Sequence, residues 1–310
     1  MKILVTGGCG FIGSHIVDSL IGKGHEVLIF DNLSTGKKDY IPKGVELFKG
    51  DITEPKQVEK AFSKFNPDVV VHTAAQVMLR KSLEEPLFDA KTNVFGTINV
   101  MEACQKHKES VKKIIYTGTG GAAYGEPKKL PVPETADKIP LSPYGCSKVS
   151  AEYYVRSYCI NNGFDHLIFR FGNVYGPRDN PDTKRVIPIF VEGLMKGKDF
   201  SIFGDGKQTR DFLYVKDIAR LVAENIEQTT GGKTYNLASG EGTSVNKVYE
   251  TVAKGLGIDK EAPHKEAIKG EVRFIFLDIK KAKKELGFKP TSFEDGMKET
   301  IEWFKAPNKQ

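Results

Sequence analysis

The N-terminal part of the chain reads as a strand, a glycine-rich turn, a helix and a second strand in direct succession. Residues 2–6 and 26–30 are short apolar runs that contain β-branched side chains, which is typical of strands. Between them, Gly8, Gly10 and Gly13 have the spacing Gly-x-Gly-x-x-Gly. Side chains at these positions would keep the backbone away from a pyrophosphate bound at the helix N-terminus. The whole unit therefore predicts a dinucleotide-binding βαβ fold.

An acidic residue at the end of the second strand indicates which dinucleotide binds. Asp31 lies 18 residues past Gly13, where a carboxylate accepts hydrogen bonds from ribose hydroxyls. The same charge would repel the additional phosphate of NADP. We therefore expect NAD as the cofactor, although Lys37 and Lys38 weaken this preference.

Strands and helices continue to alternate through the first half of the chain. Within the run 68–72, residues 69–71 are all valine, as expected for a strand buried on both faces of a parallel sheet. Ligands of such sheets bind beyond the carboxyl ends of the strands, which places Asp51 and residues 73–76 near the cofactor. The predicted fold class is α/β, with a Rossmann-type doubly wound parallel sheet. Further strands are expected at 45–48, 113–117 and 166–171, and a long helix at about 88–106.

Glycine and proline break this alternation after residue 171. We expect residues 1–172 to form the NAD-binding domain, with segments near 211–238 returning to it, and residues 173–310 to form mainly a smaller mixed α/β domain for the substrate. The second part is predicted to contain helices at 215–226, from about 244 and at 279–286, strands near 235–237 and up to 278, and a loose tail at 307–310.

A tyrosine and a lysine begin the helix that precedes the last strand of the first domain. Ser142 and Pro143 suit the N-cap and first position of a helix, so Tyr144 and Lys148 would share one face. A nearby cation and the positive end of the helix dipole favour a phenolate over a phenol. A lone Tyr-x-x-x-Lys pattern is usually ordinary helix surface. Here it accompanies a dinucleotide-binding unit.

Composition excludes several classes of protein. The 310 residues are 39% hydrophobic and 28% charged with both signs mixed, which indicates a globular chain with room for two cores. The net charge of +6 is dispersed among 40 acidic residues, so nucleic acid is not an expected partner. The four cysteines match neither a metal site nor a redox pair. We expect reduced thiols in a cytoplasmic protein without a membrane segment.

Several motifs together resemble the extended short-chain dehydrogenase/reductase family. They lie at 6–15, 31–36, 51–52, Tyr144 with Lys148, and 173–178. They follow the family's order and spacing over residues 2–303, and the chain is most similar to the nucleotide-sugar 4-epimerases within the family. The resemblance implies NAD-dependent 4-epimerisation of a UDP-sugar through a transient 4-keto intermediate. UDP-glucose and UDP-galactose are the first expected substrates. The resemblance also implies a homodimer packed through helices near 88–106 and 144–158.

The resemblance further implies roles for individual residues. Tyr144 would take the proton of the sugar 4-hydroxyl, Lys148 would lower its pKa and hold the nicotinamide ribose, and Thr119 would contact the reacting oxygen. The residues expected to line NAD are Gly7, Gly10, Phe11, Ile12, Gly13, Asp31, Asn32, Ser34, Thr35, Gly36, Asp51, Ile52, Ala74, Ala75, Gln76, Asn93, Tyr144 and Lys148. The residues expected to bind the nucleotide sugar are Thr119, Asn173, Arg210 and Arg273.

The chain departs from the family pattern in the loop that carries the catalytic hydroxyl. Gly120 stands where the family usually has Ser or Thr, four residues before the tyrosine equivalent to Tyr124. Thr119 is therefore assigned this role, and Thr117 remains the alternative. Met78 also replaces a small hydroxyl residue that is common after the preceding Ala-Ala-Gln segment.

A third departure lies near the expected phosphate site. Many relatives have an arginine three residues before the acid equivalent to Glu271, where this chain has Ile268. Arg273 or Lys269 would then bind the phosphate. The sugar itself, whether glucose/galactose, N-acetylated or a uronate, and the choice between UDP and dTDP stay open.

Two polar residues in the first half of the chain each have two possible roles. A lone histidine such as His72 is more typical of a hydrogen-bonded structural residue than of a catalyst. The amide of Asn93 would meet either a gap in backbone hydrogen bonding or a catalytic water.

Three other functions compete with epimerisation. A sugar-nucleotide 4,6-dehydratase needs an Asp-Glu pair after the catalytic hydroxyl, whereas Gly120 and Gly121 follow Thr119, so no acid would protonate the leaving 6-hydroxyl. A UDP-glucuronate decarboxylase would also need an acid in this loop. A non-catalytic NAD-binding regulator is the alternative from another class, and the intact Tyr144 and Lys148 argue against it.

Overall fold

A computed structural model of the protein describes residues 1–267 and 272–306. The chain divides into two compact units, each built from several segments. The first unit consists of Met1–Ala123, Lys138–Arg170 and Ile218–Tyr235, and the second of Tyr124–Asp137, Phe171–Asp217 and Asn236–Gln310. The predicted division treats 1–172 as one run, whereas residues 124–137 contribute to the second unit.

Helices and strands alternate from the N-terminus onward. Up to residue 171 the elements are β1 (Lys2–Thr6), α1 (Phe11–Gly22), β2 (Glu26–Asp31), β3 (Glu46–Lys49), α2 (Pro55–Phe65), β4 (Val69–His72), α3 (Leu79–Glu84), α4 (Pro86–Ala90), α5 (Gly96–Lys106), β5 (Lys113–Thr119), α6 (Pro143–Asn162) and β6 (Asp165–Phe171). The elements that follow are β7 (Asn173–Tyr175), α7 (Val186–Lys196), β8 (Ile202–Phe203), β9 (Thr209–Arg210), β10 (Phe212–Tyr214), α8 (Val215–Glu224), β11 (Lys233–Leu237), β12 (Thr243–Ser244), α9 (Val245–Leu256), β13 (His264–Lys265), α10 (Lys280–Leu286) and α11 (Phe293–Lys305). Short 3-10 turns lie at Lys38–Tyr40 and Pro181–Thr183, and a π-helical turn at Lys91–Phe95.

The first unit is organised around a seven-stranded sheet with the order β11-β6-β5-β4-β1-β2-β3. Strand β1 runs parallel to β2 and to β4, and the pairs β2–β3 and β4–β5 are also parallel. The strand order reverses between β1 and β4, and ligands of such sheets bind beyond the carboxyl ends at this reversal. The predicted Rossmann-type fold is confirmed.

Side chains that alternate along the strands build the core on one face of this sheet. Leu4 lies opposite Leu28 on one side and Val70 on the other. These three residues share one buried cluster with side chains of α2, α5 and α6. Helix α1 covers the opposite face, where Val17 and Ile29 both lie against the glycine turn. The sheet therefore holds the turn after β1 in a fixed position.

The second unit has a separate core made largely by helices. Helices α7, α9 and α11 contribute buried side chains to one cluster around the short parallel pair β7–β10. Tyr175 lies at its centre, with its ring 5.3 Å from the ring of Phe293 and 5.6 Å from that of Tyr214.

Two predicted elements differ from the observed ones. The helix expected at about 88–106 contains the π-helical turn Lys91–Phe95 between α4 and α5. The strand expected up to residue 278 does not form. Phe274 and Leu277 make isolated bridges to two different partners, Thr209 and Val132, so no continuous ladder can form.

Some predicted features lie outside the described residues. These are Ile268, Lys269, Glu271 and the tail at 307–310. Among the residues that are described, no helix has the length and apolar character needed to cross a membrane.

Candidate active site

The glycine turn after β1 is closed tightly against its neighbours. A Cβ atom added to Gly13 would lie 2.1 Å from the carbonyl oxygen of Gly7, and one added to Gly7 would lie 2.7 Å from the amide nitrogen of Ala74. Gly7 also has a positive φ of 71°, which other residues rarely adopt. Helix α1 begins at Phe11 without a side-chain cap or an acidic residue in its first turn. The first amide groups of the helix are therefore suited to an anionic group.

Asp31 lies beside this turn, at the carboxyl end of β2. Its carboxylate accepts hydrogen bonds from the backbone N–H groups of Cys9, at 2.9 Å, and Leu33, at 2.7 Å. Burial raises the pKa of Asp31, and these two hydrogen bonds oppose the rise. Each oxygen of the carboxylate keeps a lone pair for a ribose hydroxyl.

The loops after β2 and β3 are joined by their polar side chains. The Asn32 amide donates to the carboxylate of Asp51 at 2.9 Å, and the backbone N–H of Ser34 donates to the Asn32 carbonyl. Burial alone would raise the pKa of Asp51, but hydrogen bonds from Thr53 and Asn32 outweigh it and lower the pKa. The predicted residues 31–36, Asp51 and Ile52 thus lie at the ends of the neighbouring strands β2 and β3.

The segment after β4 is held in place by Asn93. The side-chain oxygen Oδ1 of Asn93 accepts the backbone N–H of Gln76 at 2.8 Å, and the side-chain Nδ2 of Asn93 donates to the backbone carbonyl of Gln76 at 3.0 Å. Asn93 is almost completely buried within the π-helical turn. Two roles were predicted for Asn93, and the geometry matches the one in which its amide fills a gap in backbone hydrogen bonding. Ala74 and Ala75 are thereby fixed beside the glycine turn.

Tyr144 and Lys148 lie in the first two turns of α6. The Ser142 hydroxyl caps this helix by accepting the backbone N–H of Gly145 at 3.1 Å, as the sequence predicts. Lys148 is 5% exposed, and its Nζ donates to the carbonyl of Thr117 at 2.8 Å. The Nζ also lies 4.4 Å from the centre of the Tyr116 ring.

The charge of Lys148 is balanced between opposing effects. Burial lowers its pKa to about 7, while the carboxylates of Asp89 and Glu152 act in the opposite direction. Lysine ordinarily loses its proton near pH ~10.4. Lys148 is therefore a buried amine whose protonation depends on its two acidic neighbours.

The two candidate hydroxyl residues on β5 differ in their surroundings. Thr119 is partly exposed at the last position of the strand, and its Oγ1 accepts the backbone N–H of Ala122 at 3.2 Å. Its hydroxyl hydrogen therefore remains for another acceptor. Thr117 is buried, and its hydroxyl donates to the carbonyl of His72 at 3.2 Å.

His72 connects the first strand to the start of α5. Its Nδ1 lies 2.7 Å from the hydroxyl of Thr6 and its Nε2 lies 2.9 Å from that of Thr97. The Thr97 hydroxyl donates to the carbonyl of Asn93 at 2.6 Å, so Nε2 carries the hydrogen of the ring. Burial lowers the pKa of His72 to about 3, and Lys148 adds to this effect. The geometry matches a structural histidine.

Two buried acids near Lys148 were not predicted from the sequence. Asp89 accepts a hydrogen bond from Ser147, the residue directly before Lys148. Glu152 forms a buried ion pair with Arg170. One signal was available, since Tyr144, Lys148 and Glu152 follow each other at intervals of four on a single helix face. An acid four residues after a lysine is usually a surface pair, which explains why the pattern was not informative.

Three of the four predicted substrate residues, Asn173, Arg210 and Arg273, lie in the second unit on adjoining segments, whereas Thr119 belongs to the first unit. The backbone N–H of Asn173 donates to the carbonyl of Asp211 at 2.6 Å, directly after Arg210 on β9. The backbone N–H of Thr209 donates to the carbonyl of Arg273 at 2.9 Å. The Arg273 guanidinium forms an ion pair with Asp205 at 2.9 Å, and both side chains are at least half exposed.

The chain is similar to known proteins over nearly its whole length. A putative UDP-glucose 4-epimerase of Methanocaldococcus jannaschii is 42% identical over 311 residues, 99% of each chain. The crystal structure of UDP-glucose 4-epimerase from Thermotoga maritima with UDP-glucose has a TM-score of 0.94 and 41% identity, and covers 98% of both chains. The structure of UDP-glucose 4-epimerase from Thermus thermophilus in complex with NAD has a TM-score of 0.91 and 37% identity, and covers 99% of this chain and 100% of that one.

The sequence pattern of one family matches residues 3–238, which include the glycine turn, Asp31, Thr119, Tyr144 and Lys148. The family resemblance seen in the motifs and the expectation of NAD as cofactor are both confirmed. On this evidence the chain belongs to the NAD dependent epimerase/dehydratase family.

Proposed function

We propose that this protein catalyses the 4-epimerisation of a UDP-sugar, with UDP-glucose and UDP-galactose as the interconverted pair. The observation that carries the proposal is the pairing of Tyr144 with a buried Lys148 at the start of α6. The first turn of that helix packs on the loop after Thr119, because a Cβ added to Gly145 would lie 2.6 Å from the carbonyl oxygen of Ala122. The names and ligands of the matched enzymes support the same assignment.

The residues at the carboxyl edge of the sheet fit NAD. The uncapped N-terminus of α1 suits the pyrophosphate, and the carboxylate of Asp31 suits the adenosine ribose. The residues proposed to hold the cofactor are those named from the sequence between Gly7 and Lys148. The nicotinamide of the cofactor supplies a reversible hydride acceptor for C4 of the sugar.

Tyr144 is the proposed acid–base group. Its phenolate accepts the proton of the sugar 4-hydroxyl as the C4–O bond becomes a carbonyl, and the phenol later returns that proton to the oxygen. The ammonium of Lys148, held by the carbonyl of Thr117, stabilises the phenolate one helical turn away. If the 4-keto sugar presents its other face before C4 regains its hydride, the configuration at C4 is inverted.

Thr119 is the proposed hydroxyl partner of the reacting oxygen. Its Oγ1 accepts a backbone N–H, which orients the hydroxyl hydrogen toward a different acceptor such as O4 of the sugar. Thr117 is less suited because its hydrogen is already used by the carbonyl of His72. Gly120 and Gly121 supply no acid beside Thr119, which disfavours 4,6-dehydration.

The residues proposed to bind the diphosphate belong to the second unit. A diphosphate needs fixed cations and amides, and a guanidinium can donate to two phosphate oxygens at once. Asn173, Arg210 and Arg273 lie on adjoining segments. Their clustering supports a shared role in binding the diphosphate.

We also propose a homodimer formed through α5, α6 and the residues just before α5. This part of the first unit exposes large apolar side chains, including Leu87 (85% exposed), Phe95 (61%) and Ile160 (69%). Apolar patches of this kind usually mark an interface. A cytoplasmic location is proposed as well, supported by four free cysteines in the described chain.

The function is tested by incubating the purified protein with a panel of UDP- and dTDP-sugars and separating the products by chromatography. Conversion of UDP-glucose to its C4 epimer is the expected result. A 4-keto-6-deoxy product would replace the proposal with a dehydratase, and no conversion of any sugar would replace it with the non-catalytic regulator.

A further inference from the structure

Asp89 is a buried carboxylate that has no part in the reaction proposed above. Its side chain is 0% exposed, although α4 also carries strongly exposed apolar residues. Burying a carboxylate is costly unless it is hydrogen-bonded and compensated by an opposite charge. The surroundings of Asp89 show what compensates it.

The carboxylate of Asp89 accepts three side-chain hydrogen bonds from neutral donors. The amides of Gln76 and Asn93 donate at 2.7 and 3.2 Å, and the hydroxyl of Ser147 donates to the other oxygen. Gln76 belongs to the proposed cofactor segment after β4, and Ser147 directly precedes Lys148. Asp89 therefore joins the two backbone segments on which the proposed site depends.

Neutral donors leave the negative charge of Asp89 in the protein interior. The buried ammonium of Lys148 lies close enough to interact with it electrostatically. The other acid near Lys148, Glu152, is partly compensated, because Arg170 donates two hydrogen bonds to it at 2.9 and 2.6 Å. Both acids favour the charged form of Lys148, and Asp89 has the larger effect.

We propose that Asp89 is a positioning residue, which fixes the start of α6 against the Gln76 segment and keeps Lys148 in its charged form. The inference rests on the proposed role of Lys148 beside Tyr144. It assigns Asp89 no contact with the substrate or the reacting atoms.

The other groups around Lys148 do not replace this charge. These groups are His72 on β4, Tyr116 on β5, and Glu152 on α6, which is paired with Arg170 on β6; Tyr144 lies four residues before Lys148 on α6. His72 is neutral, Tyr116 stays protonated because burial raises its pKa well above the usual value, and Glu152 is partly compensated by Arg170.

The test is a titration of Tyr144 in the protein with its cofactor but without substrate. The near-ultraviolet signal of tyrosinate is recorded against pH for each protein and for the same protein carrying Tyr144→Phe, and the difference reports Tyr144 alone. Asp89→Asn should deprive Lys148 of its charge and raise the pKa of Tyr144 by about one pH unit. Asp89→Glu, which restores the carboxylate, should return the pKa to the wild-type value.

Glu84→Gln is the matched control, since it removes the same charge from an exposed position on the neighbouring helix. It should leave the Tyr144 titration unchanged. If Asp89→Asn does not fold, Asp89→Ser takes its place with the same expected rise. An unchanged or lowered pKa of Tyr144 in the folded variant overturns the proposal. It would mean that Lys148 stays charged without Asp89, since a charged Lys148 that is no longer opposed by this carboxylate favours the phenolate more strongly.

The structural part of the proposal is tested by amide hydrogen exchange. Asp89→Asn and Ser147→Ala should both speed exchange in residues 74–78 and in the first turns of α6, whereas Glu84→Gln should not. Equal exchange in all proteins overturns this part. Neither measurement needs turnover, so a failure of the epimerase assignment would show in the product assay and not here.

Discussion

The carboxyl edge of the sheet in the first unit and the arginine segments of the second unit hold their polar side chains in different ways. Lys148, Asn93 and Asp31 are buried and bonded to backbone atoms. Arg273 is 58% exposed, and its recorded partner, Asp205, is 50% exposed. Buried polar networks are rigid and costly to disturb, whereas exposed ion pairs contribute little. The comparison predicts large effects of substitution at the first site and smaller, substrate-dependent effects at the second.

The largest effect is expected for Tyr144→Phe. Removing the phenolic oxygen leaves the proton of the sugar 4-hydroxyl without a base, which should lower kcat by about 10³-fold. NAD should remain bound, since the ring and the helix are retained. Steady-state kinetics and the NAD released on denaturation measure the two quantities.

Tyr153→Phe is the control for Tyr144→Phe, because it removes a hydroxyl from an exposed tyrosine of the same helix. Its turnover should match the wild type. Turnover of Tyr144→Phe within a few fold of the wild type would contradict the role assigned to the first unit.

A second large effect is expected for Gly13→Ala, which tests the rigidity of the cofactor turn. The new Cβ would lie 2.1 Å from the carbonyl oxygen of Gly7, so the turn must shift. NAD content after purification should fall at least about tenfold, because the amides of α1 would move away from the pyrophosphate.

Gly22→Ala provides a matched comparison at the end of the same helix, where an added Cβ meets nothing within 4 Å. It should keep NAD and leave thermal stability equal or higher, by up to ~1 kcal/mol. Equal NAD content in both variants would contradict a rigid turn.

A smaller effect is expected for Arg273→Gln in the second unit. If the guanidinium binds the diphosphate, its loss should raise KM for the UDP-sugar about tenfold and leave kcat within a few fold. The melting temperature should hardly change, because the ion pair with Asp205 is exposed.

Asp205→Asn controls for the loss of that ion pair, and it should not raise KM. If Arg273→Gln lowered kcat as much as Tyr144→Phe does, at unchanged KM, the two units would no longer differ in the effect of substitution.

The first unit was also the more predictable from sequence. The glycine spacing, the acid after β2 and the capped start of α6 each have a local cause that can be read from neighbouring residues. The network around Asp89 has no such cause, because Gln76 and Ser147 reach it from separate parts of the chain, whereas Asn93 lies four residues after Asp89. The packing of α4 against α6 brings Ser147 to Asp89.

The strands of the second unit escaped prediction for a related reason, whereas the helices expected from about 244 and at 279–286 are observed as α9 and α10. The sheets of this unit are pairs of strands two or three residues long, too short for an alternating pattern to appear. The expected strand up to residue 278 is an example. Ile275 and Leu277 are buried as alternation predicts, but their segment is held by single bridges rather than by a ladder.

The smallest effect concerns His72, and it shows how the buried network of the first unit responds to acid. Burial lowers the pKa of His72 to about 3, whereas an unfolded chain binds this proton near pH ~6.5. Between these values the unfolded state holds one more proton, so the free energy of unfolding falls as the pH falls. His72→Gln should reduce the slope of the unfolding free energy against pH by an amount that corresponds to at most one bound proton. Urea unfolding at several pH values measures this slope. The control His264→Gln removes an exposed histidine of the second unit and should keep the wild-type slope. Equal slopes in the wild type and His72→Gln would mean that the ring takes up its proton in the folded protein, and the first unit would then be less rigid than the comparison requires.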